Sequence, residues 1–477
     1  MTRGRMLVTT VALGLAVGAT PGRADVFQLP SAPPVPAGAI SHGVTFLANI
    51  PELRTAISLN FIGTTMFAST VHGIYSYDVS DPAHPALLGA LPQYIWENED
   101  VEVDARRHLL FLSRDPRGFT TPATTAFPYG AVQVIDVSNP RVLTQVSITL
   151  LPGGHTTRCV DGCNYTWTAG PATGATQPKD WGGRPVFALD MRNPAHPVQC
   201  PHPIDADEND GRTDYTHDVQ VDSRGIAWVS GSGAVRGYWV NGRHVDARTG
   251  RAATATGCDP VPYAGGGTAL GQLASAGGVM HNSLHPAYAP NVLLATEEVT
   301  VTDCATSGRF VAYSLSNTYG GAGFRSTPAH RFRMTPLGTW TPEKKPGASG
   351  CDSAHYFTDR GDGLLANAFY TQGTRFLDVR DPRHIRQVGY YRPADANTWA
   401  SYWRPHGLVF VADFQRGVDV LRIDKDLSNA PSVVAPPLLD QRRPNLPSIG
   451  LGWLCQVPTS VAAVDPRLID SALSRRH

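Results

Sequence analysis

The run Tyr77-Asp78-Val79-Ser80-Asp81-Pro82-Ala83-His84-Pro85 returns three times in altered form. It reappears as Ile135-Asp136-Val137-Ser138-Asn139-Pro140, as Leu189-Asp190-Met191-Arg192-Asn193-Pro194-Ala195-His196-Pro197 and as Leu377-Asp378-Val379-Arg380-Asp381-Pro382. Each copy closes an alternating apolar strand and enters a tight turn, where Asp or Asn bonds nearby backbone and Pro presets the turn dihedral. Another short strand follows the turn, such as Ala86-Leu87-Leu88-Gly89 or Arg386-Gln387-Val388-Gly389-Tyr390-Tyr391. Two more precede it, as in Asp218-Val219-Gln220-Val221, a turn over 222–225, then Ile226-Ala227-Trp228-Val229. Four short antiparallel strands per repeat make a propeller blade. Units begin near Ala56, Glu99, His155, His217, His281, His355 and Trp399. The expected fold is therefore all-β: a single seven-bladed β-propeller of four-stranded antiparallel blades, occupying 43–427.

The seventh unit offers only three strands, near Trp399–Arg404, Leu408–Asp413 and Val418–Ile423. An open edge strand invites aggregation, so the ring has to close. The segment 43–50 has strand character and is expected to complete the seventh blade. Residues 25–42 then read as a proline-rich arm and 428–477 as a tail packing on the disc. At the amino end, Arg3 and Arg5, an apolar run from Met6 to Ala19 and Gly22-Arg23-Ala24 have the three-part form of a secretory signal. The expectation is a signal peptide over 1–24, cleaved near Ala24, and a secreted protein. The run Ser448–Val464 is weakly apolar and holds Pro458, so no membrane span is expected there.

Forty basic residues balance forty acidic ones, and no Lys/Arg run exceeds two, which argues against nucleic acid as a partner. Seven cysteines in an exported chain imply disulfides, with a thiol left over. The stretch Cys159-Val160-Asp161-Gly162-Cys163 reads as a disulfide or structural element rather than a zinc knuckle, because no second pair stands at the required spacing. Gly265-Gly266-Gly267 has no following helix and reads as a flexible loop, and Ser230-Gly231-Ser232-Gly233 as a turn.

The Asp-Val-Ser-Asp-Pro phrase, with preceding strands such as Val132-Gln133-Val134-Ile135, resembles the LVIVD-repeat propellers of bacterial exported proteins. The likeness covers roughly residues 45–425 and is clearest in the first, second, third and sixth units. A weaker likeness is to the selenium-binding-protein and methanethiol-oxidase propellers, which carry such phrases and a histidine-lined centre. The resemblance implies a propeller without implying one activity.

Aligning the units on their second strands brings one feature forward. Glu99, His155, His217, His281 and His355 precede Leu109, Tyr165, Ile226, Val292 and Leu364 by 10, 10, 9, 11 and 9 residues. First strands line a propeller's channel, so these five side chains start near one level at one mouth. Converging imidazoles suit one transition metal ion, with Cu, Zn and Fe the candidates. Asp218, Glu297 and Glu298 are the expected outer partners, which would fix the ring tautomers. His285 and Cys159 lie four residues past their ring histidines, so an unbroken strand would keep them on the same face. The competing reading has each histidine bonding neighbouring backbone. Trp399, Trp403 and Arg404 read either as a pocket wall or as aromatic core.

Long insertions (Arg114–Gly130, Ala169–Arg184, Val301–Gly308, Pro201–Tyr215, Arg243–Gly278 and Arg333–Gly350) are expected on the histidine face, where loops on a rigid scaffold carry function. Two functions follow, beside a purely structural propeller retained at the cell surface by its tail or partners. The first is a secreted propeller whose looped face over the channel binds a small molecule, a protein, a peptide or a glycan. The alternative is a metal-dependent oxidoreductase or lyase using the histidine ring. No catalytic residue is assigned.

Overall fold

A computed structural model describes residues 39–435 except 72, 94–98, 100, 116–129, 152, 171–184, 206–215, 232–233, 247–248, 267–277, 300–307, 316–334 and 343–352. Among the described residues seven antiparallel blades and one separate two-stranded hairpin form: five blades have four strands in chain order from the axis outward, the third has its outer strand split in two, and the seventh takes its outer strand from the start of the described chain. In blade 1 the strands are Ala56–Ile62, Thr65–Thr70, Gly73–Asp78 and Ala86–Pro92; in blade 2, Val101–Asp104, Leu109–Arg114, Gly130–Asp136 and Thr144–Leu151. First strands of neighbouring blades pack on one another, blade 7 against blade 1 included, with blades 5 and 6 meeting through their apolar wedge, and so the blades enclose an axis.

Why these segments are strands is visible in their burial. Second and third strands are covered on both faces by adjacent blades, so Leu109, Leu110, Phe111 and Leu112 are all buried and the alternation disappears. Outer strands such as Thr144–Leu151 mix exposed and covered positions, whereas that of blade 6, Arg386–Tyr391, is buried at all but its first residue. The core is a series of wedges between blades, such as Trp167, Val186, Val219, Val229 and Tyr238 between blades 3 and 4. Each such side chain contributes about 1.5–3 kcal/mol by leaving water.

The repeated phrase is a turn with an anchor. Asp78 Oδ1 accepts from Ser80 N, Asp136 Oδ1 from Ser138 N, Asp190 Oδ1 from Arg192 N and Asp378 Oδ1 from Arg380 N. The residue between them, Val79, Val137, Met191 or Val379, is buried and pins the turn to the core.

Val44–Ile50 is the outer strand of blade 7, running antiparallel to Gly417–Ile423 from Val44 opposite Ile423 to Ile50 opposite Val418. A polar knot backs this seam. Asn49 Nδ2 donates to Asp419 Oδ1 (2.8 Å) and to the Arg416 carbonyl (2.9 Å). Buried Arg416 donates through Nε to Asp419 Oδ2 at 2.7 Å and through Nη1 to Asp395 at 2.8 Å. Gly417 opens the inner partner at φ +91°, with the Ile50 carbonyl oxygen 2.2 Å from where a Cβ would sit. Only glycine fits there.

The described ends of the arm and of the tail both lie on the rim of blade 6. Ile40 bridges Tyr391, and Val433 N donates to the Gln387 carbonyl at 2.9 Å. The signal segment, residues 25–38 of the arm and residues 436–477 of the tail lie outside the described residues, as do most of the long insertions.

The structure corrects the loop assignment in two places. Val261–Gly266, which contains two of the three consecutive glycines, is the fourth strand of blade 4, and Thr335–Trp340 is that of blade 5. The described residues of 240–260 therefore connect a third strand to a fourth and sit on the face away from the histidines. They carry a hairpin, Arg243–Val245 with Ala252–Thr254, fastened to blade 3 by Cys200–Cys258. Cys159–Cys163 forms a second disulfide across the first turn of blade 3. No helix among the described residues is long and apolar enough to cross a membrane.

Arg416→Ala leaves Asp419 buried with its cation removed, so it is expected to cost about 3–5 kcal/mol. Urea denaturation followed by tryptophan fluorescence measures this, and an unchanged midpoint would show that the knot does not hold the seam.

Candidate metal centre

Each ring residue stands at the mouth end of its blade's first strand. Glu99, His155 and His355 immediately precede strands at Val101, Thr156 and Phe357, while His217 and His281 lie inside Thr216–Val221 and Gly278–Leu284. Both internal histidines sit at register breaks, between Thr216 and Asp218 and between Met280 and Ser283. A bulge re-aims a side chain that the ladder would otherwise direct elsewhere, and bulges recur beside functional sites. The same break occurs at Ile57 in blade 1 and at Trp399 in blade 7. The ring thus reads Ile57, Glu99, His155, His217, His281, His355, Trp399.

Three imidazoles are oriented through Nδ1. His155 Nδ1 lies 2.9 Å from Asp115 Oδ2; His217 Nδ1 donates to the His281 carbonyl at 3.1 Å; His355 Nδ1 donates to the Trp399 carbonyl. That leaves each Nε2 facing inward. His281 is held by ring contacts with His217, His355 and Tyr356, at centroid distances of 4.0, 3.9 and 4.6 Å. Neither of its nitrogens makes a hydrogen bond of good geometry.

All four Nε2 atoms meet one carboxylate. Glu99 Oε2 is 3.4, 3.3 and 3.2 Å from His155, His217 and His281, and Oε1 is 3.4 Å from His355. His155 and His217 Nε2 are 3.0 Å apart. Charge-assisted hydrogen bonds are shorter, about 2.7–2.9 Å. Donors placed 2.0–2.1 Å from a shared ion lie about 2.9 Å apart in an octahedron and about 3.3–3.4 Å apart in a tetrahedron. The observed separations fall in that interval. Glu99 and the four histidines have at most 1% of their surface exposed.

Electrostatics favours the ligand forms of Glu99, His217 and His281. Burial opposes ionisation of Glu99, but the surrounding imidazoles outweigh it and hold its carboxyl well below the usual range. Burial pushes His217 well down, helped by His281, and lowers His281 itself. For His355, burial pulls down while the Glu99 carboxylate outweighs it, and the net direction is upward.

The outer residues divide. Glu298 lies 3.9 Å from His281 Nε2 and accepts a hydrogen bond from the Tyr370 hydroxyl. Asp218, pushed up to about 6 by burial, accepts from Tyr356 and Gln220. Glu297 pairs instead with Arg309, Oε1 to Nη2 at 2.7 Å. Two expectations fail: Cys159 is spent in its disulfide, and His285 bonds Asp222 Oδ2 at 2.6 Å away from the ring. Trp399 is fully buried against His355, Tyr370 and Phe414, while Trp403 and Arg404 sit lower on the same strand. Reading the sequence missed Asp115 and Tyr370. A usable signal existed for Asp115, since a carboxylate ending a second strand returns to the level where the next blade's ring histidine begins.

Buried Glu and His groups here are so placed that they could hold a metal: Glu99, His217 and His281 form one such set, and His281, Glu298 and His355 another. The molecule is a β-propeller with a carboxylate–histidine cluster on its axis. No family model matches the chain, and no curated protein matches it either. Solved structures do. The WD40 repeats of RRP9 align with TM-score 0.50 and 9% identity over 80% of this chain and 98% of that one. A periplasmic gluconolactonase of Pseudomonas aeruginosa, PpgL, aligns at 0.50 and 14% over 81% and 97%. A protein from Lactobacillus plantarum aligns at 0.50 and 10% over 77% and 92%. At such identities the likeness shows the propeller alone.

Tyr370 has φ +38°, costly for a non-glycine residue, and is held there by reciprocal backbone bonds with Thr398 (3.1 and 3.0 Å). Tyr370→Phe deprives a buried carboxylate of one donor and is expected to cost about 1.5–3 kcal/mol in metal-free protein. Thermal unfolding in chelator reads this out; wild-type stability would mean that Glu298 does not depend on the phenol.

Proposed function

We propose that Glu99, His155, His217, His281 and His355 form a transition-metal centre, and that the protein is a metal-dependent oxidoreductase or lyase of an oxidising compartment. The observation that carries this reading is the convergence of four Nε2 atoms on one carboxylate at 3.2–3.4 Å. As a purely structural cluster the arrangement is poor. Its contacts are long for ion pairs, two nitrogens face each other, and buried His281 is left without a good bond, at a cost of about 1–3 kcal/mol per unmet group. A cation at the centre removes all three faults at once.

Imidazole with carboxylate suits Zn, Cu and Fe, and an ion so held supplies Lewis-acid or redox chemistry. The chain's own contribution is to exclude water, keep His217 and His281 neutral, and fix the His155 ring through Asp115. Two disulfides fit an exported protein, which is the compartment proposed here. The rival reading, a looped face that binds a protein, peptide or glycan, depends on loops that lie outside the described residues and gains no observation of its own.

Purified protein, stripped and reloaded separately with Cu, Zn and Fe salts and then dialysed, is expected to retain at least one equivalent by plasma mass spectrometry. The double variant His155→Ala/His217→Ala should retain none while keeping its β-sheet circular dichroism. Wild-type protein that keeps no metal would return the reading to a binding propeller. Asp115→Asn is expected to weaken metal affinity by about 10–100-fold, because the group orienting a ligand ring acts through that ring.

A further inference from the structure

We infer that the axial cluster is built for two metal ions bridged by Glu99. This rests on the metal reading above and goes beyond it, since one ion would satisfy that reading. The two oxygens of Glu99 have different neighbours. Oε2 faces His155, His217 and His281 at 3.4, 3.3 and 3.2 Å, whereas His355 Nε2 approaches Oε1 at 3.4 Å. Three imidazoles and Oε2 supply four ligands, the number a tetrahedral ion takes, and Glu99, His217 and His281 among them lie within 4.8 Å of one another.

His355 is then left on the other side of the carboxylate, and it is not alone there. Glu298 reaches the same side, its ligand atoms and those of His355 and His281 lying within 4.8 Å of one another. Glu298 Oε2 stands 3.9 Å from His281 Nε2, farther than any Glu99 contact in the ring, so it belongs with the second set rather than the first. The Tyr370 hydroxyl, bonded to the other Glu298 oxygen, keeps that carboxylate turned to the ring. A carboxylate offering one oxygen to each ion is a normal bridge in centres whose metals are about 3.5–4 Å apart.

The two ions would differ in role. The first is closed by four protein ligands. The second would take His355 and Glu298 with Glu99 Oε1, His281 of the Glu298 group serving the first ion, and three protein ligands with an open position is the pattern of a catalytic site. Round the ring from His355 the next position is Trp399, which brings no ligand but a buried indole N–H that makes no hydrogen bond. An oxygen or sulfur atom of a small substrate on the second ion has that donor one blade away.

The test uses the full mature chain, stripped of metal, and Co(II) alone as probe, with uptake followed by equilibrium dialysis and visible absorption. Wild-type protein is expected to bind two equivalents, and Glu298→Gln one, with the absorption of the first equivalent unchanged. Loaded with Cu(II), wild-type protein should show the half-field resonance of a coupled pair, and Glu298→Gln should not. Should Glu298→Gln fail to fold, wild-type stoichiometry and the half-field signal decide alone. Saturation of wild-type protein at one equivalent, or two equivalents retained by folded Glu298→Gln, overturns the two-ion inference and leaves the single centre standing. Uptake of no metal at all defeats the metal reading itself.

Discussion

Antiparallel pairing of Val44–Ile50 with Gly417–Ile423 joins two segments separated by nearly the whole described chain, and every blade's position depends on it. Without that strand the seventh blade presents an unpaired edge and the disc is free to splay. With it, each first strand is clamped between two neighbours, and the starts of those strands are held at one height around the axis. The Asn49, Arg416 and Asp419 knot lies behind the seam because bare ladder bonds are individually worth only about 0.5–1.5 kcal/mol net. Buried charges there are tolerable because each acid has a cation or several donors. A cluster of five polar side chains on the axis can exist only inside a ring already closed by other means.

That division of labour explains where the irregular backbone lies. The wedges between blades are well-packed apolar cores, and register breaks within first strands fall at Ile57, His217, His281 and Trp399. An inner strand has no sheet neighbour on the channel side, so a bulge there costs one ladder position and disturbs nothing beyond it. Tyr370, at φ +38°, is held by Thr398 of the following blade. Irregular backbone thus occurs at the mouth of the channel, and turns on the opposite face hold more of it, at His108, Asp161, Cys163 and His406.

The same local rules decide how much of this was legible. The Asp-x-Ser/Arg turn with its buried central residue is local chemistry, so the repeat, the blade count and the returning strand could be read from spacing. The ring level was legible for the same reason, because a first strand and its turn have nearly constant length from His155 to His355. Whatever depends on strand parity was not. The break between Met280 and Ser283 adds residues to one side of the ladder, so four positions past His281 no longer means the same face, and His285 turns away to Asp222. Asp115 and Tyr370 come from second strands and their following turns, whose ends the alignment did not track. The outer strand Val261–Gly266 reads as loop because its glycines carry no apolar pattern, although its pairing with Ala234–Trp239 is plain in three dimensions.

Placing five polar residues from five consecutive blades around one point has a consequence for stability as well as for chemistry. In the metal-free cluster, burial opposes charge on Glu99 and on the imidazoles; neighbouring charges outweigh it at Glu99 and His355 but not at His217 and His281. What blades 2 to 6 carry is the unmet pair of His281 nitrogens and the close approach of His155 and His217 Nε2. An ion bound only to the closed ring adds RT ln(1 + [L]/Kd), about 2.7 kcal/mol at a hundredfold excess over Kd. It also cross-links blades that otherwise meet only their nearest neighbours. On the metal reading proposed above, ring closure and ion binding would be linked: the seam at Val44–Ile50 brings the ligands together, and an ion bound only to the closed ring would stabilise that closure.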